Sequence, residues 1–214
     1  DQVQKWKSQC PENFKFCPKF PQFISHRKNL SQKSEALDEF LRNIYQFEEN
    51  LGITFLQLPP HLSPKDSEEL KKFLDMLPED MEFAVEFRHE DWFGQKDQWA
   101  SMLDFIRSKK IATVISDTPG RRDVLHMSLS GESVIIRFKG FNLHPSDYQR
   151  IEMWVKSCLD MTEYGISKIY FFVHQDDESL GIELAQNFIS LINTRIKSNF
   201  KAPEMLNNQG SLFK

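Results

Sequence analysis

Charged side chains recur at the ends of several apolar segments, where a parallel sheet would bring them together. Glu86 and Asp117 supply carboxylates, and Lys19, Arg88 and Arg137 supply cations. Because cations outnumber carboxylates in this set, it favours an anionic ligand such as a carboxylate or a phosphate. The alternative is a network of internal ion pairs that satisfies itself, and such networks are poor stabilisers of a fold.

The residue types suggest a chemical role for each member of this candidate site. Glu86 or Asp117 would act as the general acid or base, with a pKa tuned by the neighbouring cations, and His26 would be a further proton-transfer group. The expected substrate-binding residues are polar or cationic and lie at strand ends or just beyond them: Lys19, Gln57, Arg88, His89, Arg137 and His174.

Histidines that accompany the two carboxylates raise a second hypothesis, a divalent metal site. The candidate ligands are imidazoles and carboxylates spread along the chain: His26, His89, His126, His144, His174, Glu86 and Asp117. No HxH or HExxH spacing occurs, so the sequence gives metal only weak support and leaves the cofactor unknown. The sequence also lacks a GxSxG nucleophile elbow and the glycine-rich loops that cradle phosphates.

Short apolar segments predict the strands that position these residues. Six of them are rich in Phe, Val and Ile and span 14–19, 54–59, 82–89, 112–117, 134–140 and 168–174. Apolar residues recur at helical spacing over 37–44, 70–77, 99–106, 151–158 and 184–192, and a weaker helical pattern covers 118–133. This alternation predicts an α/β fold with a parallel sheet and crossover helices.

The parity of side chains along the strands distinguishes two ways of closing that sheet. One face is apolar, whereas the other is assigned Glu86, Asp117 and Arg137 towards the carboxyl ends of the strands. An open, doubly wound sheet would bury both faces under helices. A barrel has an interior with a polar mouth, so we predict a TIM-type (β/α) barrel with about six βα units of the usual eight.

Length and composition define the class of protein. The chain has 214 residues, of which 40% are hydrophobic, with a net charge of −4 and a pI of about 5.9. We expect a single barrel domain over 1–214, and the acidic balance disfavours nucleic acid as a partner. No apolar stretch approaches the roughly 20 residues of a membrane span. Three cysteines without a CxxC pair are typical of a reducing compartment, which predicts a cytoplasmic location.

Several motifs, taken in order, resemble the YecE-like family, also called domain-of-unknown-function family 72. They are FCPKFP with ISH at 16–26, FLQLPP at 55–60, AVEFRH with WF at 84–93, SDTP at 116–119 and IRFKG at 136–140. The resemblance implies a TIM-type barrel, and it implies no established activity.

The chain departs from the family pattern at two places. The opening IGTSGW and VEINSTFY strands of the family are not found, so we expect an N-terminally incomplete barrel whose Asp1 is internal to a longer protein. Lys139 stands where the family often has His, and His174 and Gln175 stand where it usually has Asn. Residues 206–213 resemble a short tail of some members, which has no assigned role.

These observations predict binding or turnover of a small anionic, phosphorylated or sugar-like substrate at the carboxyl-terminal face of the barrel. The first alternative is metal-assisted phosphodiester hydrolysis, as in nuclease-like TIM barrels. The second is a non-catalytic module that binds or senses an anion. A small anionic molecule is the expected partner in the main hypothesis and in the second alternative. The sequence leaves open the oligomeric state and whether the protein is an enzyme.

Overall fold

A parallel sheet forms the centre of the computed structural model, which describes residues 2–204. Its strands follow one another in chain order, each parallel to the next: β1 (Thr54–Gln57), β2 (Phe83–Glu86), β3 (Ala112–Asp117), β4 (Ser133–Lys139) and β5 (Lys168–His174). The α/β class and five of the predicted strands are thereby confirmed. The tail at 206–213 lies outside the described residues.

The sixth predicted strand, at 14–19, is wrong as a regular strand. The segment lies beside β1 and pairs with it through two isolated parallel bridges, Phe16 with Leu51 and Lys19 with Phe55. The first bridge joins residues 35 positions apart and the second joins residues 36 apart, so the register slips by one residue between them. Pro18 lies within the slip and has no N–H to donate, which explains why no continuous ladder forms.

Side chains from both ends of the sheet meet on one of its faces. Tyr170 and Phe172 of β5 pack in the same apolar cluster as Cys17, Ile53 and Phe55, which lie at or beyond the opposite edge. Because a flat sheet would keep these residues apart, the sheet is curled into a half-barrel around this inner face. Closure into a barrel of six units is not confirmed within residues 2–204.

The outer face of the sheet is covered by helices, with α1 beside them at the chain start. They are α1 (Gln2–Ser8), α2 (Gln22–Ser25), α3 (Glu35–Tyr45), α4 (Ser67–Leu74), α5 (Asp91–Gly94), α6 (Lys96–Ser108), α7 (Pro145–Glu163) and α8 (Gly181–Ile196). Helices α3, α4, α6, α7 and α8 confirm the five patterns of helical spacing. After α7, Gly165 adopts a φ of +92°, a left-handed conformation that glycine enters without steric cost, and it ends the helix.

The helix predicted over 118–133 is wrong. This segment contains one short 3-10 turn, Arg122–Val124, and otherwise runs back along β3. Side-chain hydrogen bonds fix it there: Thr113 Oγ1 donates to the Ser128 carbonyl at 2.7 Å and Ser130 Oγ donates to the Ile111 carbonyl at 2.7 Å. Both bonds join the segment to β3 over long sequence separations, so tertiary contacts and not the weak apolar period decide its conformation.

The predicted parity of β3 is also wrong. Ala112 and Val114 belong to the inner cluster, whereas Ile115 packs on the outer side with α7. Every residue of β3 is buried, so its sequence carries no alternation of polarity from which the inward face could be read. The consequence for the site is that Ser116, and not Asp117, points to the inner face.

No helix within residues 2–204 has an apolar run long enough to cross a bilayer.

Candidate functional site

The carboxylate of Glu86 is the centre of a buried polar cluster at the carboxyl end of β2. Its Oε2 accepts hydrogen bonds from Gln57 Nε2 at 2.9 Å and from Arg137 Nη1 at 2.7 Å, and its Oε1 accepts from Ser116 Oγ at 2.8 Å. Glu86 is 2% exposed. A buried carboxylate needs this kind of compensation, because an unpaired buried charge is very costly.

Four neighbouring elements supply the cluster, and the sheet register explains why they meet. Gln57 and Glu86 are register partners on β1 and β2, and Ser116 and Arg137 are register partners on β3 and β4. Parallel strands end at the same edge, so their last inward side chains converge. Glu86 and Arg137 were predicted to share this face and Gln57 to belong to the site, whereas Ser116 was missed because the parity of β3 was assigned wrongly.

Arg137 extends from this cluster towards solvent. Its guanidinium lies 5.6 Å from the centre of the Phe55 ring, a cation–π distance, and its side chain stays 22% exposed. His174 lies at the end of β5. Desolvation and the Arg137 charge lower the pKa of its imidazole, so the ring is neutral at neutral pH. Arg137 and His174 thus keep donor and acceptor groups at the open side of the buried cluster.

A second group of basic side chains lies beside the first, at the ends of the 14–19 segment, β1 and β2. Lys19 pairs with Phe55 of β1 through a backbone bridge, and Arg88 follows Glu86 by two positions. Desolvation, then the charges of Arg88, His61 and Lys19, lower the pKa of His26, so these three basic groups act on the same imidazole. Within residues 2–204, no hydrogen bond or ion pair engages the Lys19 ammonium or the Arg88 guanidinium.

Hydrogen bonds hold the loops that carry these basic groups. Trp92 Nε1 donates to the Leu62 carbonyl at 2.9 Å and so ties the loop after β2 to the loop after β1. Arg121 Nη2 donates to the Arg88 carbonyl at 3.0 Å. The Ser25 hydroxyl and His26 Nδ1 are 2.8 Å apart, which orients the imidazole ring. The basic groups are therefore presented by a fixed scaffold.

His61 belongs to this group and was missed by the sequence reasoning. It lies four positions after Gln57, in the loop that begins with Pro59 and Pro60. A loop residue has no periodicity that reveals which way it faces. His61 could have been predicted from its position just after the end of a strand, as Arg88 was.

The structure places two of the predicted site residues elsewhere. Asp117 faces α7, where it accepts hydrogen bonds from Trp154 Nε1 at 2.7 Å and Arg150 Nε at 3.3 Å, and it also pairs with Arg122. His89 is turned into its own loop, since its Nδ1 accepts from the Asp91 N–H at 3.2 Å. Neither side chain joins Glu86, because the outward parity of β3 and the local turn direct them away.

The proposed metal ligands do not gather in the part of the chain that the structure describes. Within residues 2–204, no group of three or more His, Cys, Asp or Glu side chains is placed to hold a metal ion. His126 is buried against Phe93, and His144 accepts from the Ser146 N–H at the start of α7. These two histidines therefore have structural roles in loops and packing.

Cavities of about 470 and 460 Å³ lie at the opposite edge of the sheet from the predicted site. Their walls include Asp80 and Glu82, which precede β2, and none of the predicted site residues lines them. At the carboxyl edge, the chemistry rests on the placement of charged side chains.

Comparison with known proteins gives one family. The family described as "Protein of unknown function DUF72" matches residues 1–208. The UPF0759 protein YecE of Escherichia coli is 26% identical over 200 residues, which cover 85% of this chain and 73% of that protein.

Crystal structures of two DUF72 family proteins share the fold. The one from Enterococcus faecalis has a TM-score of 0.73 and 18% identity, and the match covers 96% of this chain and 83% of that chain. The one from Thermotoga maritima has a TM-score of 0.69 and 21% identity, covering 92% of this chain and 78% of that chain.

Proposed function

Because the chain belongs to the DUF72 family, whose description states no activity, its function has to be argued from the site, and we propose that it binds a small anionic molecule at the carboxyl ends of its strands. Ligands of barrel proteins bind at this edge. We further propose that the half-barrel is part of a TIM-type barrel, of which this edge is the mouth.

One observation carries the proposal. Lys19 and Arg88 carry positive charge without an acidic partner among residues 2–204, while the adjacent Arg137 is already held by Glu86. Cations are normally either paired or fully solvated, and Arg88 is only partly exposed. An unpaired arginine that is only partly exposed, with an exposed lysine in the same group, is an arrangement that captures carboxylates and phosphates.

Glu86 positions Arg137 in this proposal. Three donors occupy Glu86, and two of them bind the same oxygen. A carboxylate has about four acceptor positions, so one position on Oε1 is left to receive a proton. Catalysis with Glu86 as the base therefore requires more than binding does. The substrate would have to reach Oε1 of Glu86 and transfer a proton to it.

His26 is the other candidate for proton transfer. Its lowered pKa keeps the imidazole neutral at neutral pH, and Ser25 fixes its Nδ1 side. A neutral imidazole beside two cations can accept a proton from a bound substrate. Within residues 2–204, no group of side chains supports the metal-dependent alternative.

The three cysteines support a reducing location, and we propose the cytoplasm. Cys10, Cys17 and Cys158 are all free thiols. Burial raises the pKa of Cys17 to about 11 and that of Cys158 to about 12, so both are unreactive as nucleophiles.

A ligand screen by thermal unfolding tests the proposal. The panel contains phosphate, sulfate, small carboxylates and sugar phosphates, and a ligand at 100 times its Kd stabilises a protein by about 2.7 kcal/mol. We expect stabilisation by at least one anion, and we expect Arg88→Gln and Arg137→Ala to abolish it. Arg107→Gln is the matched control, because Arg107 is an exposed arginine that pairs with Asp104 on α6. Equal responses in all four proteins would contradict the proposal.

A further inference from the structure

The group of basic side chains at the ends of the 14–19 segment, β1 and β2 has the composition of a subsite for one particular kind of anion. Resting on the proposed function, we infer that it binds a tetrahedral dianion of the phosphate-monoester type. The residues that would contact this dianion come from three neighbouring loops: Lys19, His26, His61 and Arg88.

The topology brings these loops together. Lys19 is opposite Phe55 of β1, and Gln57 of β1 is opposite Glu86 of β2. The ends of three adjacent parallel segments therefore lie side by side, with Lys19 and Arg88 on the two flanks. His61 lies in the loop after β1, between Lys19 and Arg88. Trp92, in the loop after β2, donates a hydrogen bond to the carbonyl of the next residue, Leu62, which holds the two loops together.

The number of loops favours a phosphoryl group over a carboxylate. A carboxylate offers two oxygens in one plane, which a single arginine can satisfy in a bidentate pair. A phosphate monoester offers three terminal oxygens that point in different directions. Three loops that each present a cationic or imidazole side chain match three oxygens.

The charge balance favours a dianion. Lys19 and Arg88 contribute two positive charges, and within residues 2–204 neither forms an ion pair. Glu86 is the nearest buried carboxylate in sequence to Arg88, and it is committed to Gln57, Ser116 and Arg137. A phosphate monoester carries a charge of roughly −1.5 to −2 at pH 7 and would neutralise the two cations.

His26 makes the subsite sensitive to protons. Desolvation, then the charges of Arg88, His61 and Lys19, lower its pKa and keep the imidazole neutral, and the Ser25 hydroxyl contacts its Nδ1. A bound dianion would reverse this field and stabilise the imidazolium. Binding would therefore take up a proton, and the affinity for a dianion would rise as the pH falls.

Titration calorimetry with sulfate tests this inference, because sulfate is dianionic throughout the range in which histidine titrates. Measurements at about pH 8 and about pH 5.5 bracket that range. We expect tighter binding at the lower pH in the unchanged protein. His26→Gln should remove most of the pH dependence, His61→Gln should weaken binding, and Arg88→Gln should weaken it roughly tenfold or more at both pH values.

A matched control and two contrary results complete the test. His144→Gln changes an exposed histidine at the start of α7 and should leave sulfate affinity and its pH dependence unchanged. If anions bind and Arg137→Ala abolishes binding while His26→Gln and His61→Gln have no effect, the subsite is wrong and the proposed function stands. If neither sulfate nor any anion of the thermal screen binds, both are wrong.

Discussion

Glu86 on β2 and Arg137 on β4 form an ion pair of 2.7 Å across the strand that separates them, although they are 51 positions apart in the chain. The intervening strand β3 contributes Ser116 to the same carboxylate. This pair links the neighbouring strand ends and leaves the guanidinium partly open to solvent. The ion pair therefore holds a partly exposed guanidinium at the carboxyl edge of the sheet.

The Glu86–Arg137 pair should be strongly coupled in stability. Glu86→Gln places an amide against donors that require an acceptor and leaves Arg137 without a counter-charge, so we expect a loss of about 1–3 kcal/mol in the free energy of unfolding. Urea unfolding of Glu86→Gln, Arg137→Gln and the double variant gives the coupling energy. Additive losses would show that the two side chains do not depend on each other.

Asp117 should be a structural residue without a role in anion binding. Asp117→Asn removes the charge that accepts from Trp154 and pairs with Arg150 and Arg122, at an expected cost of about 1–3 kcal/mol in unfolding free energy. We expect its affinity for anions to equal that of the unchanged protein. Loss of binding without loss of stability would return Asp117 to the site from which its outward orientation removes it.

His126 should make the fold sensitive to mild acid. Burial lowers its pKa from 6.5 to about 4, and its ring donates to the Val114 carbonyl while accepting from the Ser128 N–H. Below pH 6.5 the unfolded chain binds a proton that the folded protein does not, so stability falls as the pH decreases until the folded-state pKa is reached. The loss from this group amounts to about 3 kcal/mol.

The variant His126→Gln isolates that contribution from the carboxylates, which titrate at lower pH. We expect a shallower decline in unfolding free energy between pH 6.5 and about 5 than in the unchanged protein. Parallel curves for the two proteins in this interval would show that His126 does not titrate differently in the folded and unfolded states.

The end of β4 should not tolerate a side chain at Gly140. An added Cβ would lie 2.5 Å from Gln175 Nε2. Gln175 is 6% exposed and its Oε1 accepts from the Asn142 N–H, so it has little freedom to move. Gly140→Ala should lower the midpoint of urea unfolding by the equivalent of about 1–3 kcal/mol.

Gly94→Ala is the control for that substitution. A Cβ at Gly94 in α5 meets nothing within 4 Å, so we expect no loss of stability. Similar losses at both glycines would mean that backbone effects, and not the contact with Gln175, govern the result at Gly140.

The sequence predicted which face a side chain occupies where a polar residue stands among apolar neighbours in the same strand. In β4, Arg137 stands out against apolar neighbours, and its inward position was predicted correctly. In β3, every residue is buried, so Ser116 and Asp117 could be assigned to faces only from the packing of α7 and the inner cluster. The 14–19 segment has strand-like residues, but Pro18 and the slipped register prevent a regular ladder.

The candidate site follows the same rule. Lys19, Gln57, Glu86, Arg88 and Arg137 were predicted from their places at strand ends, and the structure brings them to one edge of the sheet. The position of His61 and the hydrogen bond of Trp92 to the Leu62 carbonyl depend on loop conformation, which no periodic pattern encodes.

The most direct test of the account is the affinity of the unchanged protein and of Arg88→Gln for sulfate, measured by calorimetry at about pH 5.5. Arg88 is a partly buried cation of the candidate subsite and has no acidic partner in residues 2–204, so the anion-binding proposal depends on it most. We expect saturable binding of one sulfate per chain and a loss of affinity of roughly tenfold or more in the variant. Equal affinities in the two proteins, or no binding in either, would contradict it.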